Sequence, residues 1–202
     1  MDLLTLHSRR RQLLPALAAL VLLGACSAPE PVPYRRSIDE HTASTTTTVR
    51  APLVYYAEAP DLAVNARDYV DLWAFEVKEN AVRRLYVACD VWSTIDRQRV
   101  PGTPPLPTPV QVALRVDGVS EPLRLAGSDL RGIGLTAWPF PVPAHEGGQT
   151  VFLRVSKDQL RWLAERSTTA EIDLVAADGA ARTFSLWRDE RASLADFLAD
   201  LF

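Results

Sequence analysis

Reactive side chains are scarce in this 202-residue chain, which has two cysteines (Cys26, Cys89) and three histidines (His7, His41, His145). A Ser-His-Asp or Cys-His site needs an imidazole in the folded part of the chain, and only His145, in a Gly/Pro-rich stretch, qualifies. No G-x-S-x-G nucleophile elbow accompanies it, since Gly127-Ser128 stands without the rest of that motif. His145-Glu146 lacks the second histidine at helical spacing that a zinc protease needs. Asp39-Glu40-His41 are consecutive and do not converge readily on one metal, and Arg131-Gly132-Ile133-Gly134 lacks the third glycine of a dinucleotide loop. Carboxylates are plentiful, but glycosidase chemistry depends on their separation in space, which spacing along the chain does not supply. The sequence therefore assigns no catalytic residue, cofactor or metal ligand, and an enzyme is the less favoured expectation.

Two groups of residues are better suited to binding. In Val70–Val77 and Arg84–Trp92, apolar and polar residues alternate with period two, which predicts an antiparallel hairpin turning at Lys78–Ala81. If Phe75 opposes Tyr86, then Trp73, Phe75, Tyr86 and Trp92 share one face with Asp71 and Asp90, while Val70, Leu72, Leu85, Val87, Cys89 and Val91 share the other. Flat rings beside carboxylates suit a glycan or small ligand; core packing is the competing and favoured explanation. Further on, Leu135, Trp138 and Phe140 lie in the aperiodic "LTAWPFPVP" stretch. They either plug the end of the core or present an apolar contact to a partner.

The strongest signal lies near the start. Arg9-Arg10-Arg11 precedes an apolar run from Leu13 to Leu23 that, at about a dozen residues, is too short to span a bilayer, which takes ~20. A basic cluster, a short apolar segment and a small-residue end are the parts of an export signal. Closing on Leu23-Gly24-Ala25-Cys26, the segment resembles the lipobox of bacterial lipoprotein precursors. That resemblance implies a diacylglyceryl group on the Cys26 thiol, cleavage before Cys26 and a covalent membrane anchor. Ser27, rather than aspartate, in the next position implies the outer membrane, facing the periplasm of a two-membrane host. The export route stays open between the general secretory and twin-arginine pathways.

Removing residues 1–25 takes away three arginines and one aspartate, which moves the net charge from −3 to about −5. No basic field is left for nucleic acid. With Cys26 acylated, Cys89 has no intrachain partner; its place among apolar residues predicts a buried, inert thiol. Ser27–Ala51 is rich in Ser, Thr, Pro and Ala and ends in Thr45–Thr48, so 26–51 is expected to be a disordered tether with a fully extended reach of ~80 Å.

The elements that must position all these residues lie in 52–202, enough chain for one domain. Strands are expected at Val110–Val116, Pro122–Ala126 (a short edge strand), Val151–Val155, Glu171–Ala177 and Arg182–Trp187, with Asp117-Gly118 and Asp178-Gly179 as hairpin turns. Five prolines in Val100–Pro109 make that stretch an extended connection. Ser156 and Gln159 form a capping box for a short helix. Leu194, Phe197, Leu198 and Leu201 form the buried stripe of a second helix, capped by Ser193. The expected fold is mainly β, an antiparallel β-sandwich-like domain with two short helices; the alternative is an α+β layer with the helices on one face.

Overall fold

The computed structural model describes residues 32, 34–97, 102–103, 105–165 and 169–202. Cys26 and the whole lipobox-like segment lie outside them.

Among the described residues, ten strands form one antiparallel sheet: β1 Tyr34–Asp39, β2 Ser44–Val49, β3 Leu53–Glu58, β4 Arg67–Glu79, β5 Val82–Ser93, β6 Pro109–Val116, β7 Val119–Gly127, β8 Gln149–Arg154, β9 Ala170–Ala176 and β10 Ala181–Arg188. Two helices accompany them, α1 Lys157–Ala164 and α2 Arg191–Leu201. The expected β-rich, antiparallel class with two helices is what forms. The sandwich is not: β4 pairs with both β3 and β5, and the ring β4-β3-β10-β9-β6-β7-β8-β5 closes on itself as an eight-stranded barrel. Closure removes edges within the eight-stranded ring, and β1, paired with β2 outside it, remains the terminal strand of the sheet. Closure also makes β7 an interior member of the ring, nine residues long and paired on both sides, rather than a short edge strand.

The second difference concerns the tether. Strands β1 and β2 occupy 34–49, inside the stretch read as disordered. The threonine run is low in complexity, but threonine is β-branched and suits a pleated strand. Thr46, Thr47 and Thr48 are buried between β1 and β4, and β4 is long enough to carry β3 on its first half and β2 on its second.

Register decides which side of each strand faces in. Tyr55, Val70 and Val91 align across β3, β4 and β5; Leu114, Ile172 and Phe184 align across β6, β9 and β10. Val91, Leu174 and Phe184, from three strands of which β5 is no neighbour of β9 or β10, line one small cavity of ≈ 40 Å³, so this is the barrel interior. Cys89 belongs to this set, fully buried, its thiol pushed well above the usual range by burial. The helices close one end: Leu163 of α1 and Leu194 of α2 meet Leu53, Leu72, Ala74 and Val87 around a void of ≈ 10 Å³, room for about one water. The Ser156–Gln159 capping box forms as expected, whereas α2 starts two residues before Ser193, at Arg191. Arg191 ties the helices together by donating to the Glu165 carbonyl at 2.9 Å.

Leu106 of the proline-rich connection is buried beside the opposite end, near a charge cluster in which Arg97 and Arg182 both bond the fully buried Asp68. Burial works to raise the Asp68 pKa, and hydrogen bonds from Arg97, Ser93 and Arg182 outweigh it, leaving the carboxyl below its ordinary range. The hairpin turns follow local backbone rules. Asn80-Ala81 and Asp117-Gly118 both take positive φ at both positions, as a type I′ turn requires. At Asp178-Gly179 only the glycine does so (φ 84°), giving a wider loop in which Asp178 accepts from the Ala180 amide at 2.9 Å.

Candidate functional site

The β4–β5 register is the expected one, with Phe75 opposite Tyr86 and Asp71 opposite Asp90. The face carrying these residues is the outer wall of the barrel, and most of it is covered. Trp73, Phe75 and Tyr86 are 4%, 0% and 5% exposed. The cover is the long connection between β7 and β8, which contains a 3-10 turn at Arg131–Ile133. Phe140 packs against Trp73 (5.2 Å between ring centroids) and edge-on against Phe75 (5.3 Å, 89°). Trp138 meets Phe140 at 5.0 Å and Phe152 at 6.5 Å, and its indole N–H donates to the Val142 carbonyl at 2.6 Å. Leu135 is 1% exposed and Phe140 5%, with Trp138 half-buried. The apolar loop and the aromatic face, two separate binding candidates in the sequence, are thus packed on each other. Their apolar area contributes to stability by leaving water together.

The loop is pinned at two places. Near its middle, Asp39 at the end of β1 accepts from the Thr136 amide (2.6 Å), the Thr136 hydroxyl (2.9 Å) and the Ala137 amide (3.2 Å). The Thr136 amide is the largest influence bringing the Asp39 pKa down to about 2; burial opposes it, and the Thr136 hydroxyl and the Ala137 and Thr42 amides assist. The folded pKa lies below the unfolded value of ~3.9. The contribution is therefore present above pH ~4 and is lost as pH falls through about 2. Asp39→Asn is expected to lower the urea midpoint at pH 7, with the gap to the parent protein closing toward pH 2. A gap that persists unchanged at pH 2 would separate Asp39 from this acid limb.

The second pin is polar and lies where the loop enters β8. His145 Nδ1 is 2.8 Å from Asp90 Oδ2, and the Thr150 hydroxyl donates to the other carboxylate oxygen at 2.7 Å. The imidazole stacks on Trp92 (4.4 Å, 14°), and Tyr69 covers the other face of that indole (4.5 Å, 14°). Trp92 Nε1 donates to Asp71 at 3.2 Å; burial is the main cause holding the Asp71 pKa above its ordinary value. The turn approaches β5 so closely that a Cβ on Gly148 would lie 3.0 Å from the His145 carbonyl oxygen and 3.1 Å from that of Val91. Asp90 orients His145 as a triad aspartate orients its histidine. Among the described residues, however, no hydroxyl or thiol bonds the imidazole, so a base and its orienting group stand without a nucleophile. Nor do any three His, Cys, Asp or Glu side chains among the described residues converge as metal ligands.

The row of rings continues beyond Tyr69, where the sequence did not lead. Tyr56 of β3 lies opposite Tyr69 in the register, and Trp187 of β10 meets Tyr56 edge-on at 5.2 Å. The Arg67 guanidinium lies 5.3 Å from the Tyr56 ring centre and 5.2 Å from that of Trp187, and pairs with Glu58 at 3.1 Å. Trp187 is 54% exposed. Of the expected ligand face, then, only Trp92 belongs to this half-exposed row; Trp73, Phe75 and Tyr86 belong to the packed interface beneath the loop. Aromatic residues at 56, 69 and 187 are visible in the chain, but their alignment depends on the β3–β4 and β3–β10 pairings.

Comparison of the chain with protein-family models, with curated proteins and with solved structures gives no match.

Proposed function

We propose that this is a lipid-anchored cell-envelope protein, cut before Cys26 and held by acyl chains on that thiol, whose barrel serves as a non-catalytic interaction or assembly module. The observation that carries the reading is Leu23-Gly24-Ala25-Cys26 at the end of a short apolar run behind three arginines. Ser27 favours the outer membrane, facing the periplasm. Asp90 orients the His145 imidazole at 2.8 Å in an arrangement like the base half of a catalytic triad. That same pair is the one observation in favour of a second reading, an envelope hydrolase. With Leu135 and Phe140 turned inward, the module's contacts fall to other parts of the outer wall.

Intact mass spectrometry of the membrane-extracted protein tests the anchor. The expected mass is that of residues 26–202 plus a diacylglyceryl group, with or without a third acyl chain. An unmodified Cys26, or a mature chain starting elsewhere, would overturn the proposal.

A further inference from the structure

We infer that the outer wall of β3, β4 and β10 carries a sugar-binding platform centred on Trp187, which takes a neutral hexose ring of a glycan chain. The inference gives the ligand class of the interaction module and rests on that reading.

Trp92 is sandwiched between Tyr69 and His145, so neither of its faces is free to stack on a ligand. Those three rings form a rigid backing. Trp187 differs: it is 54% exposed, and its ring lies at 69° to Tyr56 rather than parallel to it. One exposed tryptophan is ordinary on a protein surface. Here the Arg67–Glu58 ion pair packs against it. Arg67 is held over both Trp187 and Tyr56, and Glu58, 53% exposed at its side chain, holds Arg67 from the other side. Arg182 fixes the Glu58 backbone by donating to its carbonyl at 3.3 Å.

A pyranose ring has a C–H face that packs on an aromatic surface and a rim of hydroxyls that both donate and accept. An indole beside a guanidinium–carboxylate pair offers the matching set: an apolar plane, fixed N–H donors and a carboxylate acceptor. Trp187 and Tyr56 sit on adjacent strands, ~5 Å apart, about the width of one sugar ring. Glu58 and Arg67 cancel in charge, and the chain as a whole is acidic at −3, which disfavours nucleic acid and strongly anionic polymers.

The test is calorimetric titration of the full mature protein in detergent with chitotetraose, maltotetraose and, separately, a proline-rich decapeptide. Saturable binding of at least one oligosaccharide is expected, with Kd about 1 mM or tighter. Trp187→Ala should weaken it at least about tenfold, and Glu58→Ala less. Both side chains are exposed, so thermal midpoints should stay near the parent value, which separates lost binding from lost folding. The platform is overturned if neither sugar binds, if Trp187→Ala binds sugar as the parent does, or if the peptide alone binds through Trp187. Absence of sugar binding in a chain whose mass shows acylated Cys26 rejects the platform and leaves the anchor standing.

Discussion

With Cys26 replaced by serine, the protein is expected to lose all acylation and to leave the lipoprotein fraction. A serine hydroxyl does not become the thiolate that accepts a diacylglyceryl group as a thioether, and cleavage before residue 26 follows that modification. The effect is close to all-or-none because anchoring is cumulative: each buried CH₂ contributes about 0.8 kcal/mol, so two or three acyl chains hold a protein lastingly where one is marginal. The uncut apolar segment would be a poor substitute, being far short of the ~20 residues that cross a bilayer. Among the described residues no helix is long and apolar enough to cross a membrane either. Metabolic labelling with an alkyne fatty acid, followed by fractionation, reads both consequences. Cys89→Ser is the matched control, since Cys89 is fully buried in the barrel and should leave labelling unchanged. Label retained by Cys26→Ser, or lost in Cys89→Ser, would reject the assignment. An anchor at the proposed Cys26 would have a shorter lead than the composition suggests. Strand β1 begins at Tyr34, eight residues after Cys26, and a chain of that length reaches at most about 28 Å. An anchored barrel would therefore be held near the membrane surface, well within the ~80 Å range of a tether running to residue 51.

Phe75→Ala should destabilise the fold by about 3–5 kcal/mol, the range for emptying a fully buried phenylalanine site. The ring is 0% exposed and touches Tyr86 at 5.5 Å, Phe140 at 5.3 Å and Phe152 at 6.2 Å between centroids. It thereby joins β4, β5, β8 and the covering loop, and its loss leaves a cavity that all four must close on. For a domain of this size each kcal/mol shifts the midpoint by ~2–4 °C, so a drop on the order of 10 °C is expected. Calorimetry or urea unfolding checks it. The result separates the two roles foreseen for this face. A ligand-contacting ring, when removed, leaves stability intact and abolishes binding, whereas a core ring does the reverse. A change below about 1 kcal/mol would return Phe75 to the ligand-binding candidates. Trp187→Ala makes the useful contrast, being expected to change binding and spare the fold.

Local patterns proved legible where a single strand, turn or helix start decides the outcome. Period-two alternation located β4, β5 and β6, and the face shared by Phe75 and Tyr86 followed from turn position alone. The Ser156–Gln159 box and the Leu194–Leu201 stripe depend on residues within two turns of each other. The threonine run is low in complexity, yet its β-branched residues suit an extended backbone, and Thr46–Thr48 form a strand once β1 and β4 supply partners on both sides.

A lipobox is a different kind of signal, one that processing enzymes read as linear sequence, so the resemblance at residues 23–26 carries the proposed anchor without any help from the fold. The barrel, the covered face and the exposed row are not of that kind. Closure rests on β3 pairing with β10, more than 120 residues away along the chain, and no local periodicity encodes which distant edge a strand will meet. The residues of the loop carrying Leu135 and Phe140 suit either a plug on the core or a contact for a partner; Asp39, about a hundred positions earlier, and the waiting Trp73–Phe75 surface decided that it packs inward. The same long-range pairings bring Trp187, Tyr56, Tyr69 and Trp92 into one row. What the sequence determined is what neighbouring residues or a sequence-reading enzyme can act on. What only the tertiary structure decided is which apolar surfaces find each other, because burial is non-directional and depends on the whole chain's closure.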